Sequence, residues 1–449
     1  SNLQPAIYNQ QSTISNLQPA ITMSLRIVPS LEPLLKSFKD EGFTLLPHQK
    51  KAVRWMFSRE MSSKSTKGGI LADEMGVGKT IETIGLIMYH QVQYTLIIVP
   101  ASLITQWKSE IEKFTSDITI HIHKLDESKI NVGLNVVITS FVKSTRDHIM
   151  EHPWGRIVID EAHTIRNPKG KLFNKICNLK SSYKWCLTGT PIQNYKSDVK
   201  TLLRFIGVKK GDLKKNIQTY LLRRTKEEVN IKLGGYKYVE HITEFKSLYE
   251  KQLYKDVEDN THPSVEFSFL ETLLRRRQAA ILPQLVLDGY GKKQKTKASK
   301  WKYNNTKISE IVKQLEENPE EKPVIFCYFR REMQFLEQKL EEIEITYNTI
   351  HGGVGLDNRK TMIDNSEEYR VLIIQIMAGS TGLNLQSFNS VYFSGPHWNP
   401  THEQQAIARV YRMGQTQAVT VRRFILKNTI EELILQIQKN KLELIQKYL

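Results

Sequence analysis

Two hydrophobic patterns alternate along the chain. Short runs of apolar and β-branched residues recur at 95–100 (TLIIVP), 135–141 (NVVITSF), 156–162 (RIVIDEA) and 184–191 (KWCLTGTP), each about one strand long. These runs do not alternate between apolar and polar, so both faces of each strand must be covered, as in a buried parallel sheet. The stretches between them, such as 103–114, carry apolar residues three and four apart, which predicts helices crossing from strand to strand. Runs at 323–329 (PVIFCYF), 345–350, 371–376 and 390–394 repeat the alternation, with a helical pattern over 331–344. The expectation is an α/β chain of two lobes, each a mostly parallel sheet flanked by helices. Between the lobes, residues 230–290 read as largely helical and basic, with Arg275, Arg276 and Arg277 in succession. Residues 291–307 (GKKQKTKASKWKYNNTK) carry seven lysines and no acid. This reads as a helical insertion and a flexible basic linker, one that either contacts phosphates or is simply solvated.

In open parallel sheets, ligands sit beyond the carboxyl ends of the strands, and the polar clusters of this chain fall there. The segment 68–82 (GGILADEMGVGKTIE) runs from an apolar approach through a glycine turn into a helix. Backbone N–H groups around Gly76 and Gly78, with a helix N-terminus behind them, suit an anion. Asp73, Glu74, Met75, Gly76, Val77, Gly78, Lys79 and Thr80 thus form a candidate nucleotide cradle, with Lys79 reaching the β/γ-phosphates and Thr80 ligating Mg²⁺. A strict phosphate loop has glycine in place of Asp73, and alone the segment could be a glycine turn without a ligand. Asp160-Glu161-Ala162-His163 follows another apolar run. Its carboxylates can divide the work, Asp160 holding Mg²⁺ and Glu161 polarising the attacking water, while His163 senses the γ-phosphate. Gln49, upstream of the loop, has an amide that could read an adenine edge. Thr188 and Thr190 flank a glycine and suit a relay that detects bound phosphate. Arg409 and Arg412 fall on one helix face and can stabilise phosphoryl charge from the second lobe. ATP and Mg²⁺ are the expected cofactors.

Composition narrows the partner. Lys and Arg number 64 against 47 Asp and Glu in 449 residues, a net charge of +17, which suits nucleic acid or an anionic membrane face. No apolar run approaches the roughly 18 residues of a membrane span. The three cysteines, Cys177, Cys186 and Cys327, form no C-x-x-C pair, which argues against a disulfide framework and a zinc module and fits a reducing compartment. The heptapeptide SNLQPAI occurs at 1–7 and again at 15–21, and the first charged residue is Arg26; residues 1–22 read as a leader preceding a start at Met23.

The order of motifs is more specific than any one of them. LADEMGVGKT (71–80), IIVPASLITQW (97–107), ITSF (138–141), IDEAH (159–163), LTGTPIQN (187–194) and LLRRTKEEV (221–229) resemble the first motor lobe of superfamily 2 helicase-like ATPases of the SWI/SNF type. AGSTGLNL (378–385), PHWNP (396–400), QAIARVYRMGQT (405–416) and TIEE (429–432) resemble the second lobe of that family, with His397 where a tryptophan is usual. The resemblance implies an N-terminal RecA-like lobe over 23–230, an inter-lobe region over 231–304, a C-terminal RecA-like lobe over 305–430 and a terminal helix over 431–449. It implies a double-stranded-DNA-dependent ATPase that translocates along duplex DNA without separating strands and displaces nucleosomes or other DNA-bound proteins. By the same resemblance, Ser102, Thr139, Gly352, Gly379 and the stretch around Gly382 touch phosphate backbone, and Gly382 joins His163, Thr188 and Thr190 in coupling. The expected location is a nucleus, or a viral replication compartment if the source is a large DNA virus. A strand-separating DNA or RNA helicase is one alternative. The other is a nucleotide-gated DNA-binding scaffold with weak ATPase activity.

Overall fold

The computed structural model describes residues 30–130, 133–193, 195–209, 211–231, 233–261, 267–379 and 383–448. The leader read at 1–22 and Gly382 lie outside the described residues. Strands β1 (Gly68–Leu71), β2 (Tyr94–Val99), β3 (Ile118–Ile122), β4 (Leu134–Ser140), β5 (Trp154–Ile159), β6 (Ser181–Leu187) and β7 (Leu221–Leu222) form one parallel sheet in the order β3-β4-β2-β5-β6-β1-β7. Strands β8 (Tyr236–Thr243), β9 (Pro323–Cys327), β10 (Tyr347–Ile350), β11 (Val371–Gln375), β12 (Ser390–Phe393) and β13 (Val419–Leu426) form a second parallel sheet, ordered β10-β11-β9-β12-β13-β8.

The period of two decides which side chain joins which core. In β2, Ile97 and Val99 face a cluster that contains Val53, Met56, Ile84, Ile87, Trp107 and Ile111 from helices on one side of the sheet. Leu96 and Ile98 face the other side, among Phe173, Ile176, Val199 and Leu202. The second sheet divides in the same way, with Phe326, Ile374 and Val391 on one face and Ile325, Ile373 and Tyr392 on the other. Covering both faces explains why the central strands read as continuous apolar runs.

One charge cluster is sealed inside the first lobe. Arg156 of β5 donates to Glu60 through Nε and Nη2, both at 2.7 Å, and Trp185 Nε1 donates to the same carboxylate at 2.8 Å. His90 Nδ1 lies 2.5 Å from Glu60 Oε2. Glu60 and Arg156 are fully buried. Burial would raise the Glu60 pKa, but Arg156, His90 and Trp185 outweigh it and hold the carboxyl down at about 2.

The structure departs from the sequence reading in the inter-lobe region. Residues 236–243, within the stretch whose pattern predicts helix, are strand β8, which pairs with β13 from Tyr236↔Val419 to Thr243↔Leu426 and closes one edge of the second sheet. The physical reason is its edge position, where solvent takes one side and tolerates the polar residues of YKYVEHIT. Nor is 291–307 a loose linker. Its first residues continue the helix Gln284–Gln294. Beyond that, Gln284 accepts from the Trp301 N–H at 2.7 Å and donates to the Ser299 carbonyl at 2.9 Å, while Lys307 is buried in an ion pair with Glu431. The last helix, Ile430–Tyr448, starts against the second lobe through Ile430 and Ile434, and its far end lays Leu444, Ile445 and Tyr448 on the core of the first.

Candidate nucleotide site between the lobes

The strand order places β5, β6 and β1 side by side, and their paired ends are level: Ile159 lies opposite Cys186, and Leu71 opposite Leu187. The phosphate-loop candidate, the threonine turn and the acidic pair therefore leave neighbouring strands at one height. Gly76 and Gly78 have φ of +87° and +118°, backbone that only glycine adopts freely. A Cβ on Gly78 would lie 2.5 Å from Gln49 Nε2, so the close approach of that amide also requires glycine. Gly78 caps the helix Lys79–Tyr89, whose first N–H groups open towards the cavity. Lys79 Nζ rests on the Asp73 and Glu74 carbonyls at 2.7 and 3.3 Å.

A cavity of about 280 Å³ lies in front of this turn, with one wall from each lobe. From the first lobe come Gln49, Met75, Gly76, Gly78, Lys79, Thr80, Asp160 and Glu161; from the second, Ala408, Arg409, Arg412 and Met413 at the end of the helix Pro400–Val410 and just beyond it. A Cβ on Gly76 would stand 3.8 Å from Arg412 Cβ, so the lobes meet directly over the loop. Lys226 Nζ donates to the Tyr411 carbonyl at 3.1 Å and adds a second bridge between lobes.

The adjacent carboxylates have opposite acidities. Burial, then the charge of Glu161, pushes Asp160 up to about 6, although Trp107 Nε1 donates to its Oδ2 at 2.8 Å. Burial also acts to raise Glu161, but His163 at 3.2 Å, Lys79 and Arg409 together bring it below its ordinary value. Glu161 has a φ of +47°, a left-handed conformation unusual for a residue with a side chain. Burial lowers the pKa of Arg409, with Glu161 opposing.

The remaining candidates divide. Asp73 turns its carboxylate away from the cavity into a bidentate pair with Arg224, which also donates to Glu82 at 2.9 Å and to the His48 carbonyl at 2.5 Å. Its side chain is a brace under the loop and not a cavity wall. Glu74 accepts from the Lys226 N–H at 2.9 Å, and the Val77 carbonyl accepts from His48 and Gln49, so these residues shape the turn from behind. Gln49 lines the cavity with its amide engaged by Val77 and by the Leu46 N–H. Thr188 Oγ1 accepts from the Thr190 N–H at 3.1 Å, and a Cβ on Gly189 would come within 2.9 Å of Met75 Cγ, so the threonine turn abuts the phosphate loop. Thr139 is buried with its hydroxyl 3.3 Å from His123 Nδ1, so any contact of this stretch with DNA would fall to its neighbours. Ser102 is half-buried on the turn after β2, Gly352 stands in open space after β10, and Gly379 ends the short helix Ile376–Gly379 after β11. Residue-by-residue reading passed over Trp107, Arg224, Lys226 and His402. The first three lie inside quoted motifs, and their partners are far along the chain; His402 loses basicity through burial and the nearby His163 and Arg166 of the other lobe.

Comparison with known proteins places both halves of the chain. The chain matches the SNF2-related domain over residues 48–212 and the helicase conserved C-terminal domain over 306–414. It belongs to the SNF2-related helicase family. An uncharacterized ATP-dependent helicase of Mycoplasma pneumoniae is 30% identical over 450 residues, covering 90% of this SNF2-related chain and 42% of that protein. The probable global transactivator of Orgyia pseudotsugata multicapsid polyhedrosis virus is 26% identical, covering 90% of this chain and 91% of the viral one. The chain thus spans less than half of its mycoplasma relative and nearly all of its viral one. Among solved structures, the Sulfolobus solfataricus SWI2/SNF2 ATPase core in complex with dsDNA matches 90% of this chain and 92% of its own at 28% identity, with a TM-score of 0.41. No described helix is long and apolar enough to cross a membrane.

Proposed function

We propose that this SNF2-related chain is a DNA-dependent ATPase that moves along double-stranded DNA and displaces proteins bound to it, nucleosomes among the candidates, without separating the strands. The observation that carries the reading is the opposition of Lys79, Thr80, Asp160 and Glu161 to Arg409 and Arg412 across one cavity. The donor set fits a nucleoside triphosphate with Mg²⁺: backbone N–H groups and a lysine for phosphates, a hydroxyl and a carboxylate for a hard cation, and two arginines for charge on the far side. Bound Mg²⁺ and ATP supply the transferable phosphoryl group and a divalent charge that the chain lacks.

The chain's own residues divide the rest. Gly76, Gly78 and Lys79 hold phosphates, Thr80 and Asp160 hold the cation, and Ile81, Leu103 and Phe114 offer apolar surface to the base beside Gln49. Glu161, kept ionised by His163, Lys79 and Arg409, orients and polarises water. Arg409 and Arg412 stabilise phosphoryl charge only while the lobes are closed, which ties turnover to lobe movement; such arginines contribute about 10³ to 10⁵ in rate elsewhere. Opening and closing between two DNA-gripping lobes yields steps. The net charge of +17 supports a polyanionic track.

Steady-state ATPase rates at low salt, with no nucleic acid, single-stranded DNA, double-stranded DNA or double-stranded RNA, test the proposal. Stimulation by duplex DNA alone is expected. Lys79→Ala and Glu161→Gln should each lower turnover by at least about 100-fold while DNA binding persists. Stimulation by single strands or RNA would favour a strand-separating enzyme, and tight DNA binding without turnover a scaffold.

A further inference from the structure

Apart from the residues that line the nucleotide cavity, three aromatic rings stand together near the surface of the inter-lobe segment. Tyr249 and Tyr303 stack with ring centroids 4.0 Å apart and planes at 10°, and Trp301 meets Tyr303 edge-on at 5.2 Å. Tyr249 is 60% exposed and Tyr303 44%, so this stack does not fill a core. The exposure leaves aromatic surface for a further planar group. Lys297, Lys300 and Lys302, on the same loop as Trp301 and Tyr303, are exposed, and none has an ion-pair partner among the described residues.

The loop is held in place by buried polar groups. Glu250, one residue beyond Tyr249, accepts from the Thr306 N–H at 3.2 Å, the Thr306 hydroxyl at 2.5 Å and Asn305 Nδ2 at 3.3 Å. Thr306 Oγ1 in turn accepts from the Lys246 N–H at 2.9 Å, so the segments that carry the two tyrosines are stitched together. Gln284 fixes the other side through Ser299 and Trp301. Glu250, Gln284, Asn305 and Thr306 are all buried. These bonds fix the backbone on which the two tyrosines stand and from which the lysines project.

Rings and cations together select the ligand. A duplex keeps its bases stacked internally and would use the lysines alone, whereas an apolar peptide would use the rings alone. An unpaired nucleotide offers a π face and a phosphate at once. We infer that Tyr249, Tyr303 and the lysines of 297–302 form an accessory site for single-stranded nucleic acid, with a base stacked on the tyrosine pair and flanking phosphates on Lys297, Lys300 and Lys302. Such a site would act apart from the proposed duplex track and without ATP hydrolysis, which the duplex arm of the test below decides.

Fluorescence anisotropy with the full chain tests this, using dye-labelled oligothymidine and oligouridine of about 20 nucleotides and a blunt DNA duplex. Combined Tyr249→Ala and Tyr303→Ala should weaken binding of one or both oligonucleotides by about tenfold or more, and combined Tyr249→Phe and Tyr303→Phe should restore it. Which oligonucleotide responds distinguishes DNA from RNA as the strand. Duplex affinity should be unchanged by the tyrosine changes. Replacing Lys297, Lys300 and Lys302 by Ala should reduce the logarithmic salt slope of oligonucleotide binding by about 2. The inference is overturned if the alanine variant binds both oligonucleotides like the natural chain, if phenylalanine fails to restore binding, or if duplex affinity falls equally. Equal melting temperatures of the two tyrosine variants exclude a folding defect.

Discussion

At the scale of single residues, Glu161 carries both strain and charge. A left-handed backbone at a residue with a side chain costs about 1 to 3 kcal/mol and persists only where its surroundings impose it. Here the conformation lets two successive carboxylates face different partners, Asp160 towards Trp107 and Glu161 towards His163. Different surroundings then separate their acidities. His397 shows the opposite dependence on its environment. Burial first, then His402 and Arg277, hold its pKa down at about 3 against an ordinary 6.5, while its Nδ1 accepts from the Asn399 N–H at 3.0 Å. The folded state therefore keeps this ring neutral where the unfolded chain would take a proton. The resulting stability is present above pH 6.5 and is lost as pH falls towards 3. Its slope is at most about 1.4 kcal/mol per pH unit. Denaturant titrations between about pH 7 and 4 should show this loss in the natural chain and a shallower one in His397→Gln. The site residues legible in the sequence were those with meaning inside a short motif, such as Lys79, Asp160 and Arg409. Trp107 and Arg224 gain theirs from partners 53 and 151 residues away, which local spacing cannot express.

At the scale of elements, strands with an unbroken apolar run were readable, the edge strand β10 among them, whereas the polar-interrupted β8 and β13 were not. Strands β2, β4, β5 and β6 are covered on both faces and show as apolar runs. β8 has solvent along one side, and β13 interrupts VTVRRFIL with Arg422 and Arg423, whose partners Glu321 and Glu403 come from other elements. Polarity in a strand sequence can thus mean an edge or a distant counter-charge. The Glu60 cluster is the same device inside the first lobe, linking the end of the helix Pro47–Glu60 to β5 and β6. Removing one member leaves the other buried without its counter-charge. Arg156→Met should destabilise the lobe by about 3 to 5 kcal/mol, and adding Glu60→Leu should recover part of that loss. Chemical denaturation of the single and double variants measures it; equal, additive losses would show that the pair is not coupled.

At the scale of the molecule, the helix Ile430–Tyr448 belongs to both lobes. Its start is anchored by the buried Glu431, paired with Lys307, and its end lies on the first core. Changing Leu444, Ile445 and Tyr448 together to Ser removes apolar contact worth roughly 2 to 4 kcal/mol. Small-angle scattering should then show a larger radius of gyration, with Arg409 and Arg412 drawn away from the phosphate loop. An unchanged radius would mean that the cavity contacts alone keep the lobes together.

The placement of β8 also sets a schedule for biosynthesis. Among the described residues this strand pairs only with β13, which leaves the ribosome roughly 180 residues later, or about 10 to 35 seconds at ordinary rates of synthesis. During that interval Tyr236, Tyr238 and Ile242 wait beside an unmatched backbone, although the strands of the first lobe have already been made. A ribosome stalled within that window would present a sticky ribbon instead of a sheet edge, a natural substrate for chaperones. The second lobe is therefore exposed to misassembly until β13 has been made.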